Sequence, residues 1–319
     1  MPTSQRVSAI VATRNRPALL RRALQSVAAQ THPDLEIVLV DDGSDDPSAT
    51  TQASDIGRRV ELQLLPPIPG GHGPGFARNH GAAHATGDLL AFLDDDDEWI
   101  DADYLARSVA IWTSTPGIDL LYANQKAVRS DGTEPGGTIW IEDLAGIIAR
   151  TTPARADGTF LATPWALLQS HGFGHLNATV VRRAFFQELG GFDVLLRYEE
   201  DRDFHLRAID AAQVIVHSPA FVARHHIPEQ GSASTSLGPD RRALDQLRVL
   251  DKAILGARRP EIRAYARRYK AYTLKTLAQR RAEAGDTEAA TFYAREALAI
   301  APNPKWAAYT AWLHLRRRR

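Results

Sequence analysis

The residues with the clearest capacity for chemistry are four consecutive aspartates at positions 94–97, which follow an apolar run at 89–93. This pattern, an apolar run followed directly by polar residues, is typical of a buried parallel strand whose last residues lie at a functional site. Adjacent carboxylates repel one another, so the run needs either solvent or a hard divalent cation that takes oxygen ligands. The run by itself is compatible with two structures, a metal and phosphate site or a solvated acidic loop that caps the next helix.

A second acidic pair, Asp41 and Asp42, directly follows the apolar segment 35–40. Strand and helix patterns alternate over the first third of the chain, which predicts right-handed crossovers and a doubly wound, mainly parallel sheet. The predicted strands are 7–13, 35–40, 60–65 and 89–93, and the predicted helices include 16–29, 76–85 and 101–115. Because ligands of such sheets bind beyond the carboxyl ends of the strands, both acidic clusters are expected at one edge.

The composition limits the class of protein. The chain has 319 residues, and its 38 Lys and Arg residues balance its 38 Asp and Glu residues. The chain has no net positive charge that would attract nucleic acid, so no nucleic-acid partner is expected. The absence of cysteine excludes disulfides and thiolate metal sites. Since no apolar run approaches the ~18 residues that cross a bilayer, a cytoplasmic protein is expected.

Several segments of this region resemble the family 2 inverting glycosyltransferases, which have the nucleotide-sugar-binding GT-A fold. They are VATRNRP at 11–17, VDDGS at 40–44, ARNHG at 77–81, and ATGD at 85–88 leading into FLDDDDEW at 92–99. They occur in the family's order and approximate spacing. The first strand lacks the glycine-rich fingerprint of the dinucleotide-binding folds, which argues against a dehydrogenase.

The resemblance implies a donor site for a UDP- or dTDP-linked sugar. In that site Asp42 would accept a hydrogen bond from the imino N–H of uracil or thymine. Thr13 and Asn15 would line the nucleoside pocket. Arg78 would contact the diphosphate, and its alternative role is a structural ion pair with the nearby acids.

The resemblance also implies a divalent cation, Mg²⁺ or Mn²⁺, at the acidic run. Asp94 and Asp96 match the spaced pair of the family's DXD motif, and the four consecutive aspartates leave its register open by one residue. Asp94 and Asp95 are assigned to donor binding, and Asp96 and Asp97 are assigned to the metal. The cation would neutralise the charge that grows on the departing nucleoside diphosphate.

The second half carries further family-like segments, HLNATVVRR at 175–183, LGGFD at 189–193 and YEEDRDF at 198–204. The resemblance assigns Asp201 as the catalytic base, and Glu200 as a residue that orients Asp201 or contacts the acceptor. The structural alternative for both acids is capping of a helix N-terminus. His226, in RHHIPEQGS at 224–232, is the candidate third metal ligand or phosphate donor, and a packed or solvated histidine is the alternative.

The last part of the chain has a basic, helical pattern, with predicted helices at 239–255, 260–284, 287–300 and 305–317. One helical pair resembles a tetratricopeptide-type hairpin, which needs about three neighbours for stability and is therefore expected to cap the catalytic domain. The last helix places Trp306, Tyr309, Trp312 and Leu315 before four arginines. We expect it either to rest on an anionic membrane surface that presents a lipid-linked acceptor or to form a solvated basic tail.

These features predict an α/β protein with a GT-A-type, doubly wound sheet and a helical C-terminal region. The predicted division is a nucleotide-sugar half at 1–115, an acceptor half at 116–235 and the helices at 236–319. The predicted activity is metal-assisted transfer of a sugar, with inversion, from a UDP- or dTDP-sugar to the hydroxyl of a glycan or a lipid-linked acceptor. Two alternatives stay open, a nucleotide-sugar-binding protein without catalysis and a nucleotidyltransferase, which would release pyrophosphate.

Overall fold

In the parallel part of the sheet, three of the strands are apolar and buried along most of their length, whereas the outer strand, Val60–Leu64, is partly exposed. A computed structural model describes residues 5–227 and 237–317. Strands β1 (Val7–Thr13), β2 (Leu35–Asp41), β3 (Val60–Leu64) and β4 (Leu89–Asp94) alternate with helices α1 (Pro17–Ala28), α2 (Pro47–Ala53) and α3 (Pro74–His84). β1 lies between β2 and β4, and the pairs β1–β2, β1–β4 and β2–β3 are all parallel.

The second half of the sheet mixes strand directions. Its strands are β5 (Glu98–Trp99), β6 (Ile118–Val128), β7 (Phe160–Ala162), β8 (Thr179–Arg182) and β9 (Val214–His226). Its helices are α4 (Tyr104–Ser114), α5 (Leu144–Ile148), α6 (Pro164–Gln169), α7 (Arg183–Glu188) and α8 (Glu200–Ala211). Within residues 5–227 the strand order is β3-β2-β1-β4-β8-β6-β9-β5, with β7 paired to β9. β8 runs antiparallel to both β4 and β6 and so joins the two halves.

Helices α1 and α3 cover the parallel strands because each presents small or apolar residues to the sheet. Leu20, Leu24 and Val27 of α1 recur at helical spacing and are buried. In α3, a Cβ atom at Gly81 would lie 2.7 Å from Cγ2 of Ile10, a separation that real side chains do not adopt. Glycine at this position therefore permits the close approach of α3 to β1.

The predicted α/β class and the parallel sheet are confirmed, with differences at particular elements. The apolar segments 118–122 and 220–224 by themselves predict two short strands, whereas β6 and β9 are longer. Polar residues such as Asn124 and His225 interrupt the apolar pattern of these strands. Residues 150–174, for which the sequence indicates no clear structure, contain β7 and α6. The starting point of α3 is Pro74 rather than residue 76, since proline is well suited to the first helical turn.

The chain forms two compact units, Met1–Gly231 and Ser232–Arg319. The second unit contains α9 (Pro239–Gly256), α10 (Pro260–Glu283), α11 (Thr287–Ile300) and α12 (Pro304–Arg317), which confirms the predicted helical region. The tetratricopeptide likeness and the division of the first unit into two halves stay predictions. In the part of the chain that the structure describes, no helix combines the length and the apolar character that crossing a membrane requires.

The core of the second unit includes residues of its last three helices. Ala278, Ala290, Ala294 and Leu313 form a buried cluster. The indole of Trp306 packs against this cluster and donates from Nε1 to the Ala294 carbonyl at 2.9 Å. Trp306, one of the aromatic residues of α12, therefore contributes to the packing of this unit.

Candidate active site

The carboxyl ends of β1, β2 and β4 meet at one edge of the sheet, as the sequence predicts. Thr13 pairs with Asp41 in the register of β1 and β2, and Ala12 pairs with Asp94 in the register of β1 and β4. The amide of Asp42 donates to the Thr13 carbonyl at 2.8 Å. The two acidic clusters thus flank the end of the same central strand.

Asn15 joins the loops that follow β1 and β2. Its backbone is left-handed, with φ of 57°, a conformation that asparagine tolerates better than most residues. Its side-chain amide donates to Asp45 Oδ2 at 3.0 Å and its Oδ1 accepts from the Asp45 amide at 2.8 Å. Its own amide donates to Ser44 Oγ at 2.9 Å. Asn15 therefore fixes the shape of this rim by hydrogen bonds to backbone and side chains.

Asp42 is buried under the glycine-rich segment that precedes α3. Its Oδ1 accepts from the His72 amide at 2.8 Å, and its Oδ2 accepts from the Gly73 amide at 2.9 Å. The His72 ring nitrogen Nδ1 also lies 2.8 Å from Oδ1. Arg197 donates to the Gly71 carbonyl at 2.9 Å and holds the same segment from the other side. The sequence gives no sign of the role of His72, because the conformation of this loop sets it.

Asp94, Asp96 and Asp97 form the part of the acidic run that is arranged as a cation site. Each offers a carboxylate oxygen, and these oxygens lie within 4.8 Å of one another. Asp95 turns away from this group, since its Oδ2 accepts from Thr13 Oγ1 at 2.7 Å and its Oδ1 from Arg16 at 3.2 Å. The oxygen donors and their spacing fit a hard divalent cation such as Mg²⁺ or Mn²⁺.

The crowding of these carboxylates has an electrostatic cost. Burial, followed by the neighbouring charges of Asp97 and Asp94, raises the pKa of Asp96 to about 7. Burial also raises the pKa of Asp95 to about 6, although Arg16 opposes the shift. A cation among these oxygens would relieve the repulsion, so the electrostatics agree with the geometry.

Arg78 connects the acidic run to the second half of the unit. Its Nη2 donates to Asp94 Oδ1 at 2.5 Å, and its Nη1 donates to Glu200 Oε1 at 2.7 Å. Burial opposes the charge of the guanidinium, but Asp94 and Glu200 outweigh it and raise the pKa of Arg78. The structure thus shows the carboxylate-pairing role for Arg78, and its contact with a diphosphate stays a prediction.

Glu200 and Asp201 lie in the first turn of α8, after Glu199 in the left-handed conformation with φ of 66°. Oδ1 of Asp201 accepts from the Arg202 amide at 2.7 Å, which is a local contact at the helix start. Burial raises the pKa of Asp201 and of Glu200, while Arg78 opposes both shifts. A carboxylate with a raised pKa is suited to accept a proton, and the role of Asp201 as the base stays a prediction.

The two histidines that end β9 take different partners. The ring of His225 lies against the acidic cluster, with Nδ1 2.8 Å from Asp97 Oδ2, whereas the ring of His226 faces Glu98, with Nε2 3.1 Å from Oε1. Only the backbone amide of His226 reaches Asp97, at 2.8 Å from Oδ1. The rings of His225 and His226 face different carboxylates because neighbouring residues of a strand face opposite sides. The role of His226 as third metal ligand or phosphate donor stays a prediction.

Asn177 is a further residue at the site that the sequence does not single out. Its Oδ1 accepts from the Asp94 amide at 3.0 Å, and its Nδ2 donates to Asp97 Oδ2. Its carbonyl accepts from the Trp99 indole at 2.7 Å. Asn177 thereby fixes both ends of the acidic turn from the segment before β8.

Comparison with known sequences identifies relatives over much of the chain. The profile described as "Glycosyl transferase family 2" matches residues 8–117. A PGL/p-HBAD biosynthesis glycosyltransferase of Mycobacterium bovis is 31% identical over 221 residues, which are 68% of this chain and 72% of that protein. Succinoglycan biosynthesis protein ExoO of Rhizobium meliloti is 30% identical over 250 residues, 78% of this chain and 68% of that protein. An uncharacterized glycosyltransferase of Nostoc sp. is 36% identical over 152 residues, and the match spans 46% of its length.

Solved structures of similar fold cover almost the whole chain. S. aureus TarS 1–349 in complex with UDP-GlcNAc superimposes with a TM-score of 0.68 at 20% identity, covering 98% of this chain and 87% of that one. Mannosyltransferase PcManGT from Pyrobaculum calidifontis, in complex with GDP-Man and Mn²⁺, gives 0.60 at 22% identity, with 98% and 85% covered. At these identities the likeness shows the fold, and it confirms the predicted GT-A type. Together with the sequence relatives, it establishes that the chain belongs to glycosyl transferase family 2.

Proposed function

We propose that the protein transfers a sugar from a UDP- or dTDP-linked donor to a hydroxyl acceptor, with inversion and with help from a divalent cation. The observation that carries the proposal is the Arg78 bridge. It places the acidic cluster at the end of β4 beside Glu200, the residue before Asp201 of α8. The chemistry that we propose uses a cation and a base, and Arg78 joins the carboxylates proposed for the cation to the residue beside the proposed base.

The donor would bind at the ends of β1 and β2. Asp42 would recognise the pyrimidine ring, and Asn15 and Thr13 would shape the nucleoside pocket through the hydrogen bonds they make to Asp45 and Asp95. A neighbour of the same fold was solved with UDP-GlcNAc, and another was solved with GDP-Man and Mn²⁺. These complexes support a nucleoside-diphosphate sugar as the donor class. Because Asp42 is bonded to the His72 segment, donor entry would exchange some of these hydrogen bonds for contacts with the ligand.

The cation would be held by Asp94, Asp96 and Asp97 and would be Mg²⁺ or Mn²⁺. When bound, it supplies positive charge that stabilises the departing diphosphate. Arg78 holds Asp94 Oδ1, and Asn177 holds the turn, so the protein itself keeps the oxygens in place. Asp95 would act through Thr13 and Arg16 on the shape of the site instead of touching the ion.

Asp201 would be the base. The acceptor hydroxyl oxygen forms a bond to the anomeric carbon, and its proton passes to the Asp201 carboxylate. The bond from the anomeric carbon to the diphosphate oxygen breaks, and the electron pair leaves with the nucleoside diphosphate. A single displacement of this type inverts the anomeric centre. Burial, which raises the pKa of Asp201, favours the uptake of this proton.

The acceptor would be a glycan or a lipid-linked precursor. The relatives named for PGL/p-HBAD and succinoglycan biosynthesis support this class. For a lipid-linked acceptor, α12 would provide peripheral contact with an anionic membrane. Trp312 and Leu315 of this helix are exposed, whereas Trp306 is used in packing.

The test is nucleoside diphosphate release from UDP-glucose, UDP-GlcNAc and dTDP-glucose, with Mn²⁺, with Mg²⁺ and with EDTA. We expect release with at least one donor and its loss in EDTA. Asp201→Asn should reduce turnover by ~10²–10⁴-fold while the thermal stabilisation by UDP with Mn²⁺ persists. Asp203→Asn is the control, because that carboxylate lies on the same helix but pairs with Arg207. Full turnover in Asp201→Asn would refute the base assignment.

The same assay separates the two alternatives. A binding protein without catalysis would be stabilised by UDP-sugars but release no UDP. A nucleotidyltransferase would form pyrophosphate from a nucleoside triphosphate and a sugar phosphate. Either result would overturn the proposed transferase activity.

A further inference from the structure

His175 is a largely enclosed histidine in the segment before β8, and its ring lies near Asp201. It precedes a short 3₁₀ turn, Leu176–Ala178, and its Nδ1 accepts from the Asn177 amide at 3.4 Å. In a neutral imidazole the nitrogen that accepts carries no hydrogen, so the hydrogen of His175 resides on Nε2. The Nε2 atom lies 4.0 Å from Oδ2 of Asp201. The nitrogen that carries the hydrogen is thus close to the carboxylate of Asp201, at a distance longer than a hydrogen bond.

Aromatic side chains restrict the rotation of the His175 ring. Trp140 lies at a centroid distance of 5.6 Å, His225 at 5.6 Å and Phe173 at 6.3 Å. The ring itself is 11% exposed, so few other orientations are open to it. A ring that is enclosed in this way holds its Nε2–H in a fixed direction.

The enclosure also keeps the ring neutral. Burial lowers the pKa of His175 to about 4, although Asp94 opposes the shift. At neutral pH the ring therefore donates a hydrogen without bringing a positive charge to the base. A charged imidazolium would weaken the base, because a nearby cation favours the ionised carboxylate.

Oδ2 is the oxygen of Asp201 that His175 faces. Oδ1 is already bonded to the Arg202 amide, at 2.7 Å. The other charged groups that act on Asp201 are Arg78 and Arg202, which lower its pKa, and Asp94, which raises it after burial. Glu200 precedes it in the same helical turn. A second hydrogen bond, donated to Oδ2, would fix the plane of the Asp201 carboxylate.

We propose that His175 is a positioning residue for Asp201, with its Nε2–H directing Oδ2 of the carboxylate toward the acceptor hydroxyl. The inference rests on the proposed function of Asp201. Hydrogen bonds at catalytic groups are often long before substrates bind, so the 4.0 Å separation is expected to shorten in the complex with substrates. The side chain acts through Asp201 and makes no bond in the reaction itself.

The experiment compares His175→Phe, which keeps an aromatic ring but loses the donor, with His175→Gln, which keeps an N–H at a similar distance from the backbone. His205→Gln is the control, since this buried histidine contacts Tyr122 Oη at 3.0 Å instead of Asp201. The assay is UDP release from UDP-GlcNAc or UDP-glucose with Mn²⁺ over a range of pH, and the melting temperature with UDP and Mn²⁺ verifies folding.

We expect kcat of His175→Phe to fall by about tenfold, with KM for the donor unchanged. The acidic limb of its pH profile should move to higher pH by about one unit, because a carboxylate that loses a hydrogen-bond donor has a higher pKa. His175→Gln should recover most of kcat, and His205→Gln should keep the wild-type profile.

Unchanged kcat and pH profile in His175→Phe would overturn the role of His175 alone, as would an equal loss in His175→Gln. Absence of UDP release by the wild-type protein would overturn the proposed function, and with it the role of His175. The two failures are therefore distinguishable in one set of measurements.

Discussion

Arg78 and Glu200 are 122 positions apart in the chain, yet Nη1 of the one donates to Oε1 of the other at 2.7 Å. The second arm of the same guanidinium donates to Asp94. The buried guanidinium of Arg78 therefore connects β4, which bears the acidic cluster, to α8, which bears Asp201. The contact orders both acids before any ligand binds, because neither carboxylate can move without losing a charged hydrogen bond.

Arg78→Gln should lower the stability of the apo protein by about 3–5 kcal/mol, since it leaves the buried Glu200 and the partly buried Asp94 without their counter-charge. It should also increase the gain in melting temperature on addition of Mn²⁺, because the ion becomes the remaining positive charge at Asp94. Chemical unfolding and thermal shifts measure the two effects. Arg182→Gln is the control, because it breaks the pair with Asp119 and should leave the Mn²⁺ gain unchanged. An unaltered Mn²⁺ gain in Arg78→Gln would contradict the link between Arg78 and the cation site.

Asp96→Asn should stabilise the protein in EDTA and abolish most of the stabilisation by Mn²⁺. The first effect follows from burial and from the like charges of Asp97 and Asp94, which raise the pKa of Asp96 to about 7, because a neutral side chain avoids both the burial of a charge and the repulsion. The second follows from the loss of a carboxylate ligand. Asp95→Asn serves as the control, as this side chain points at Thr13 and should preserve the Mn²⁺ effect. Full Mn²⁺ stabilisation of Asp96→Asn would exclude Asp96 from the cation site.

Gly71→Ala should weaken UDP binding more than Gly70→Ala does. Both glycines have positive φ, +67° and +79°, so each substitution carries a similar backbone cost of about 1–2 kcal/mol. At Gly71 the new Cβ would also lie 2.6 Å from Asp42 Oδ2, whereas at Gly70 no atom lies within 4 Å. Calorimetric titration with UDP and Mn²⁺ gives the two affinities. Equal affinities would show that the segment over Asp42 does not shape the nucleotide site.

The sequence predicts the two acidic clusters well because an apolar strand that ends abruptly in carboxylates is a local signal. It does not predict which histidine faces Asp97, since His225 and His226 differ only in the side of β9 that they occupy, and the strand's register decides this. The Arg78 bridge to Glu200 is equally inaccessible, because no local pattern encodes a contact between residues so distant in the chain.

The contribution of His205 to the stability of the protein should fall as the pH falls from about 7 toward 4, so His205→Gln should be less destabilised by acid than the wild-type protein. Burial lowers the pKa of His205 to about 3. Between that value and the ordinary pKa of about 6.5, the unfolded chain binds a proton that the folded chain does not, so acid favours unfolding. At pH 5 the contribution of His205 is about 2 kcal/mol.

Urea unfolding of the wild-type protein and of His205→Gln at pH 7.5 and pH 5 measures this difference. Glutamine can keep a hydrogen bond to Tyr122 but does not titrate, so its variant should lose less stability between the two pH values. His84→Gln is the control, because that side chain is exposed and bonds only within its own helix. The same loss of stability in wild type and His205→Gln would refute the assignment of the acid sensitivity to His205.

The combined substitution Trp312→Ser and Leu315→Ser should reduce co-sedimentation with phosphatidylglycerol vesicles several-fold. These two side chains of α12 are 46% and 65% exposed and precede a basic C-terminus, which suits an anionic membrane surface. Removal of the whole helix is a poorer test, because Leu313 and Trp306 belong to the packing of this unit. Tyr272→Ser is the matched control, as Tyr272 is 69% exposed on α10. Binding to phosphatidylcholine should be weak throughout. If the wild-type protein does not bind phosphatidylglycerol vesicles, or if Tyr272→Ser loses as much binding as the double variant, the basic end of α12 is a solvated tail.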